Sequence, residues 1–89
     1  GLLKEYYDDT VGKLEKYDAQ NSTDFSKIFY VFLKENGNYI KTSKKLFMHK
    51  NTLSYKISKI EEIIKRDLTD TNVKYEFYLG YLVKQINDF

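Results

Sequence analysis

Residues 38–57 of the chain, NYIKTSKKLFMHKNTLSYKI, have the pattern of two helices joined by a tight turn. Asn38 is a good N-cap for a short first helix of about residues 39–47, which ends in a turn at Phe47-Met48-His49. The second helix extends from about Lys50 to Lys65. Its apolar residues recur at intervals of four, three and four, at Leu53, Ile57, Ile60 and Ile64. This layout predicts a helix-turn-helix, a motif that places its second helix in the major groove of DNA.

The sequence before this motif predicts two or three further helices. Apolar spacing indicates one or two short helices from Leu2 to about Ala19, interrupted at Val11-Gly12. Thr23 is the expected N-cap of the next helix. That helix has a broad apolar face formed by Phe25, Ile28, Phe29, Phe32 and Leu33. Asn36-Gly37-Asn38 is expected to end it, because glycine readily takes the left-handed conformation found at helix ends.

The sequence after the motif predicts one last helix, of about residues 72–86, capped by Asp70 or Thr71. Its expected apolar stripe contains Tyr75, Tyr78, Leu79, Leu82 and Ile86. The chain has no proline and only four glycines, which favours helices throughout. We therefore predict an all-α fold, a compact helical bundle containing a helix-turn-helix. This motif is Fis-like, because its Thr52-Leu53 step resembles that of the helix-turn-helix in the nucleoid protein Fis.

A chain of 89 residues is long enough for one small domain. We expect an N-terminal helical segment, residues 1–22, packed on a helix-turn-helix domain, residues 23–89, as a single structural unit. There is no cysteine for disulfides or thiolate metal sites, and no apolar run approaches the ~20 residues that span a bilayer. With no signal peptide visible, we expect a cytoplasmic protein without membrane contact. The chain starts at Gly1 rather than Met, so we expect a piece of a longer protein.

Charge is distributed unevenly along the chain, whose net charge is only +2. Residues 37–66 contain eight basic and two acidic residues, a net charge of +6, so the rest of the chain carries −4. One basic block on an otherwise acidic chain is typical of a protein that binds a polyanion. A solvated lysine-rich face is the alternative interpretation.

The predicted second helix has a polar outer face, because its leucine and isoleucines cluster within about 60° of arc at 100° per residue. Asparagine can hydrogen-bond adenine in a bidentate manner, and serine or threonine can contact a base or a phosphate. Residues expected to read or anchor the major groove are Lys50, Asn51, Thr52, Ser54 and Tyr55. Residues expected to contact phosphates are Asn38, Lys41, Lys44, Lys56 and Lys59, with His49 packed in the turn or touching the DNA backbone. Asn38 could be only a helix cap, and Tyr55 could be a half-buried packing residue.

Catalysis has little support in the sequence. The chain has one histidine and no cysteine, and its adjacent carboxylates, such as Asp8-Asp9, point in different directions on a helix. We expect no enzymatic activity, no metal, no cofactor and no small-molecule ligand in this fragment. The competing function is a helical protein-interaction or dimerisation module without DNA binding. The concentration of positive charge in residues 37–66 favours DNA.

Residues 49–57, HKNTLSYKI, resemble the H-R-N-T-L-x-Y-R-L signature of the C-terminal domain of PucR/CdaR-type bacterial transcription regulators. The resemblance covers essentially the whole chain. Val11-Gly12-Lys13-Leu14 with Tyr17-Asp18 is similar to the family's L-G-P-L…y-D segment, and Asn36-Gly37-Asn38 to its G-N turn. Arg66-Asp67-Leu68, after the central signature, is also similar to the family pattern.

Six positions depart from the family pattern. Lys50 and Lys56 replace arginines, which removes the planar fork that binds guanine in a bidentate manner. Thr42-Ser43 replaces a pair of alanines where the two helices touch, Phe47 replaces a common glycine in the turn, and Lys13 replaces a proline. The resemblance implies the output domain of a longer regulator, which binds double-stranded DNA sequence-specifically as a homodimer or higher oligomer.

Overall fold

Six helices follow one another in the computed structural model, which describes residues 1–87. They are α1 (Leu2–Asp9), α2 (Val11–Asn21), α3 (Phe25–Lys34), α4 (Tyr39–Lys45), α5 (Lys50–Ile64) and α6 (Thr71–Ile86). No strand occurs within this range. The predicted all-α bundle with a helix-turn-helix is confirmed, with α4 and α5 as the two helices of the motif. Asp88 and Phe89, the last residues of the predicted 23–89 unit, lie outside the described residues.

The core is built around α3, which contacts α2, α4, α5 and α6. All five residues predicted for the apolar face of α3 are buried, and Phe29 is completely so. The predicted stripe of α5 is buried as well, with Leu53, Ile57, Ile60 and Ile64 at most 5% exposed. Val11 and Leu14 of α2 join the same core. Burial of apolar surface on this scale is the main stabilising contribution to such a fold, and it fixes which side of α5 faces outward.

The predicted stripe of α6 is largely wrong, although Tyr78 is partly buried and packs against the core. Tyr75 and Leu79 are half exposed or more, and Ile86 is almost fully exposed. The buried side of α6 is instead formed by Val73, Phe77, Gly80, Tyr81 and Val83. Phe77 and Tyr81 pack against the ring of Phe29, at centroid distances of 5.5 and 6.1 Å.

Two further expectations at the N-terminal side need correction. The break between α1 and α2 lies at Thr10, and Gly12 is inside α2. Thr23 does not cap α3, whose N-cap is Asp24 without a side-chain hydrogen bond. The Asp18 carboxylate in α2 accepts the Phe25 and Ser26 N–H groups, at 2.9 and 2.8 Å, together with the Thr23 hydroxyl. The free amides at the start of α3 are therefore satisfied from the preceding helix.

Left-handed residues end four of the helices. Asn36 and Gly37 have φ of 56° and 74°, which confirms the expected stop after α3. Helix α4 ends at Lys45, two residues before the expected end, because Phe47 has φ of 52°. Helix α5 ends at Ile64 because Lys65 is left-handed. None of the helices within residues 1–87 is long and apolar enough to cross a membrane.

Candidate nucleic-acid interface

Helix α5 presents a polar surface on the side opposite its buried stripe. Asn51, Thr52 and Ser54 are exposed, and Tyr55 is 61% exposed. At a rise of about 1.5 Å per residue, the residues from Lys50 to Tyr55 lie within the first two turns of the helix. Because most of the Tyr55 side chain is exposed, its alternative role as a half-buried packing residue is disfavoured. The predicted base-reading residues share one accessible surface at the N-terminal end of α5.

His49 forms the N-cap of α5, a role that the sequence analysis missed. Its Nδ1 atom accepts a hydrogen bond from the Asn51 N–H at 3.0 Å, and its carbonyl oxygen accepts one from the Leu53 N–H. Serine, threonine, aspartate and asparagine are the usual N-caps, so residue type alone gave little warning. The position of His49 directly before an apolar periodic segment was the available signal.

Helix α4 is short, and its orientation is fixed by small polar residues. Asn38 caps it as predicted, its Oδ1 atom accepting the Lys41 N–H at 2.9 Å. Thr42 and Ser43 are buried where α3 and α5 pack on α4, and their hydroxyls donate to helix carbonyl oxygens at 2.7 and 2.9 Å. Hydroxyls that bond to their own helix lose no hydrogen bond on burial. The substitution of an alanine pair by Thr42-Ser43 is therefore accommodated.

The lysines predicted to contact DNA fall into two groups. Within residues 1–87, no carboxylate lies within 4.0 Å of the ammonium groups of Lys41, Lys44 or Lys50, all of which are exposed. Lys56 and Lys59 have ion-pair partners already.

Lys56 is partly buried, and its ammonium lies 3.8 Å from the Asp24 carboxylate. Lys59 donates to Glu62 at 3.3 Å, and its ammonium lies 5.6 Å from the centre of the Tyr55 ring. The hydrogen bond to Glu62 is the largest cause of the raised pKa of Lys59. Both lysines belong to α5, and the ammonium group of each is paired with a carboxylate.

Residues 1–87 contain no group of three or more histidine, cysteine, aspartate or glutamate side chains arranged to hold a metal ion. The chemistry of the surface is therefore that of hydrogen-bonding groups and lysine ammoniums. Such a surface suits the recognition of bases and phosphates.

Comparison with known families identifies this arrangement. The model of the PucR C-terminal helix-turn-helix domain matches residues 26–83, which extends from α3 into α6. The chain belongs to this family.

Three curated relatives of this PucR-type domain come from Bacillus subtilis (strain 168). The DNA-binding transcriptional activator AdeR is 29% identical over 82 residues, and the proline-responsive transcriptional activator PutR is 30% identical over 79 residues. The purine catabolism regulatory protein is 25% identical over 84 residues. The matches cover 89–94% of the chain but only 16–19% of each relative. No solved structure matches significantly.

The structure gives Asp18, which lies outside the matched residues 26–83, a structural role. Asp18 belongs to the segment that resembles the family's y-D pair, and its carboxylate caps α3 from α2. This contact joins the N-terminal helices to the bundle that carries α4 and α5. The y-D pair was the available signal, but the sequence alone did not indicate what its aspartate contacts.

Proposed function

We propose that this chain binds double-stranded DNA sequence-specifically, as the output domain of a PucR-type bacterial transcription regulator. The main support is the orientation of α5, whose leucine and isoleucines are buried while Asn51, Thr52 and Ser54 are exposed. Two of the relatives are named as transcriptional activators, which supports the same function. In a helix-turn-helix, the N-terminal part of the second helix contacts base edges.

In this proposal α5 enters the major groove and α4 crosses the sugar-phosphate backbone. Asn51 and Thr52 read bases, and Lys50, Ser54 and Tyr55 contact bases or the adjacent backbone. Phosphates are bound by Asn38, Lys41 and Lys44 at α4 and by His49 at the N-cap of α5. His49 lies one residue before α5 and is exposed, so a phosphate can approach it while Nδ1 keeps its hydrogen bond to Asn51.

Lys56 and Lys59 need a further step before they bind phosphate. Lys56 must exchange Asp24 for a phosphate, and Lys59 must exchange Glu62. Exposed ion pairs contribute little to stability, so breaking the Lys59–Glu62 pair requires little free energy. We therefore expect these two lysines to contribute less to binding than Lys41 and Lys44.

The same proposal includes the oligomeric state of the whole regulator and its location in the cell. A dimer is required to bind two half-sites about 34 Å apart, and a higher oligomer would bind repeated half-sites. Because the chain spans less than a fifth of each relative, the remaining sequence of such a regulator would hold its other activities. We place the protein in the cytoplasm and assign this fragment neither catalysis nor a cofactor.

Fluorescence anisotropy with duplexes selected from a random pool tests the proposal. Asn51→Ala and Thr52→Ala should each weaken binding to the selected duplex by about 1–3 kcal/mol, with a smaller loss on random duplex. Lys41→Ala should weaken binding to both and reduce the slope of log affinity against log salt by about 0.9. Equal losses on both duplexes for Asn51→Ala would remove this residue from base reading.

Asn72→Ala is a matched control for Asn51→Ala. Each asparagine is the second residue of its helix, is exposed, and donates its N–H to the cap residue, His49 or Asp70. Asn72 lies at the start of α6, outside the helix-turn-helix. Its substitution should leave affinity for both duplexes unchanged.

The alternative is a helical interaction or dimerisation module without DNA binding, and one observation favours it. Tyr75, Leu79 and Ile86 leave an apolar surface exposed along α6. A wild-type chain that binds no duplex even at low salt, yet elutes as a dimer in size-exclusion chromatography, would support this second function.

A further inference from the structure

Phe47 breaks two local rules at the junction of α4 and α5. Its side chain is 98% exposed, so the ring gains nothing from burial. Its φ of 52° places a bulky residue in the left-handed region, which is unfavourable for any side chain with a Cβ atom. Residues that break local rules without a structural benefit are often functional.

The backbone around Phe47 forms a Schellman motif, which requires this conformation. The Met48 N–H donates to the Ser43 carbonyl oxygen at 3.0 Å, and the Phe47 N–H donates to that of Lys44 at 3.3 Å. Glycine is the usual residue at the left-handed position of this motif, with asparagine next. Asn36 occupies the equivalent position after α3. Folding alone would thus favour glycine or asparagine at position 47.

The surroundings of Phe47 are basic. Lys44 lies in the last turn of α4 and Lys50 is the first residue of α5. There is no aspartate or glutamate between Asn36 and Ile60. A polyanion is therefore the partner that this surface accepts most readily, and a protein partner with a basic or neutral docking face is less favoured.

The position of Phe47 relative to α5 sets where its ring would lie on a duplex. It is three residues before Lys50, so the two Cα atoms are at most about 11 Å apart along an extended chain. The major groove of B-DNA is about 12 Å wide. With the start of α5 in the groove, the turn lies beside the groove edge, where sugars and thymine methyl groups are exposed.

We propose that Phe47 is a DNA-contact residue whose ring packs on a deoxyribose or a thymine methyl group at the edge of the major groove. This inference rests on the proposed function and adds an apolar contact to a surface otherwise made of polar and charged groups. The ring neutralises no phosphate. Its contribution to affinity is therefore independent of counterion release, unlike that of Lys44 or Lys50.

Two substitutions distinguish the contribution of the Phe47 ring from that of the left-handed backbone. Phe47→Gly removes the ring and the steric conflict together, and Phe47→Ala removes the ring but keeps Cβ. Each should lower affinity for the selected duplex by roughly tenfold, as expected for loss of one good contact. The slope of log affinity against log salt should stay at the wild-type value. The midpoint temperature of unfolding should rise for Phe47→Gly and stay near wild type for Phe47→Ala.

Tyr75→Ala is the control, because Tyr75 is an exposed aromatic residue of α6 and should not affect binding. Replacing thymine by uracil in the duplex distinguishes the two contacts. If this replacement removes the difference between wild type and Phe47→Gly, the contact is a thymine methyl group. If the difference persists, the ring packs on a sugar.

Two results would overturn the inference. Unchanged affinity of Phe47→Gly and Phe47→Ala would show that the ring faces solvent on DNA or binds a protein instead. Weaker binding with a smaller salt slope would show that the substitutions merely displace the neighbouring lysines. In either case Asn51→Ala still tests the proposed function, which fails only if the wild-type chain binds no duplex or does not distinguish sequences.

Discussion

At the scale of single residues, two helix starts depend on caps of unexpected origin. Helix α5 is capped by the imidazole of His49, and α3 by Asp18 from the preceding helix. Both satisfy amide groups that have no partner inside the helix. The residues that cap the helices around the interface therefore help to set the orientation of α4 and α5.

Replacement of His49 tests the importance of its cap. His49→Ala should lower the free energy of unfolding by about 1 kcal/mol, because the Asn51 N–H loses its acceptor. This corresponds to a decrease in midpoint temperature of about 4–8 °C for a domain of this size. His49→Asn should retain most of the stability, since asparagine is a preferred N-cap. Thermal and urea unfolding followed by circular dichroism give both values, and wild-type stability for His49→Ala would exclude a capping contribution.

The caps also show how far sequence can predict single residues. Asn38 was predicted correctly, and Asp70 was one of the two predicted alternatives, because each is a preferred cap type directly before its helix. Asp18 lies seven residues before Phe25, so its contact depends on how α2 and α3 pack. The exposed surface of α5 was predicted from periodicity alone, since its four aliphatic residues define one side. The DNA contacts of that surface stay a prediction.

At the scale of helices, α6 shows where periodicity fails to choose between two stripes. Tyr75, Leu79, Leu82 and Ile86 have helical spacing, but so do Val73, Phe77, Gly80 and Tyr81. The second set is buried because Gly80 allows α6 to approach Thr10 and Val11 closely. Periodicity counts only apolar side chains and therefore gives no weight to a glycine in the stripe.

Gly80→Ala should therefore destabilise the protein, although alanine favours a helix over glycine by about 1 kcal/mol. A Cβ atom at position 80 would lie 2.4 Å from Thr10 Oγ1 and 3.0 Å from Val11 Cγ2. Thr10 is held by a hydrogen bond from its hydroxyl to the Tyr6 carbonyl oxygen at 2.7 Å, so it does not move freely. Overpacking of this kind costs about 1–3 kcal/mol, and urea unfolding measures the net effect.

Thr10→Ala in the Gly80→Ala background provides the matching control. Removal of Oγ1 eliminates the shortest contact, so the double variant should lose less stability than the two single changes predict together. Strict additivity, or a Gly80→Ala variant more stable than wild type, would contradict the packing argument.

At the scale of the whole molecule, charges are paired on one part of the surface and left available on another. Lys4 pairs with Asp8, Arg66 with Glu76 and Lys84 with Glu15, which neutralises the charges of α1, α2 and α6 locally. Within residues 1–87, Lys41 and Lys44 of α4 and Lys50 at the start of α5 have no such partner, whereas Lys45 of α4 pairs with Glu35. The positive region predicted from composition thus coincides with the helix-turn-helix surface, which supports an electrostatic attraction to DNA.

The stability of the whole domain should decrease in alkaline solution because the pKa values of two tyrosines, Tyr7 and Tyr81, are raised in the folded state. Burial raises the pKa of Tyr81, whose hydroxyl donates to the Ser26 carbonyl oxygen at 2.8 Å. Burial, together with a hydrogen bond to Glu15, raises the pKa of Tyr7 to about 12. In the unfolded chain both pKa values return to about 10. The folded state therefore binds more protons above this pH, and its stability is complete below about pH 10 and falls as the pH rises further.

Tyr81→Phe distinguishes this effect from general alkaline denaturation. Phenylalanine cannot ionise, so the variant loses the hydrogen bonds with Ser26 and is less stable at neutral pH, but its stability should decrease less steeply above about pH 10. Tyr75→Phe, at an exposed site, should follow the wild-type curve. Urea unfolding midpoints at about pH 8 to about pH 11 measure these slopes. Parallel curves for Tyr81→Phe and wild type would mean that the Tyr81 hydroxyl does not control the alkaline transition.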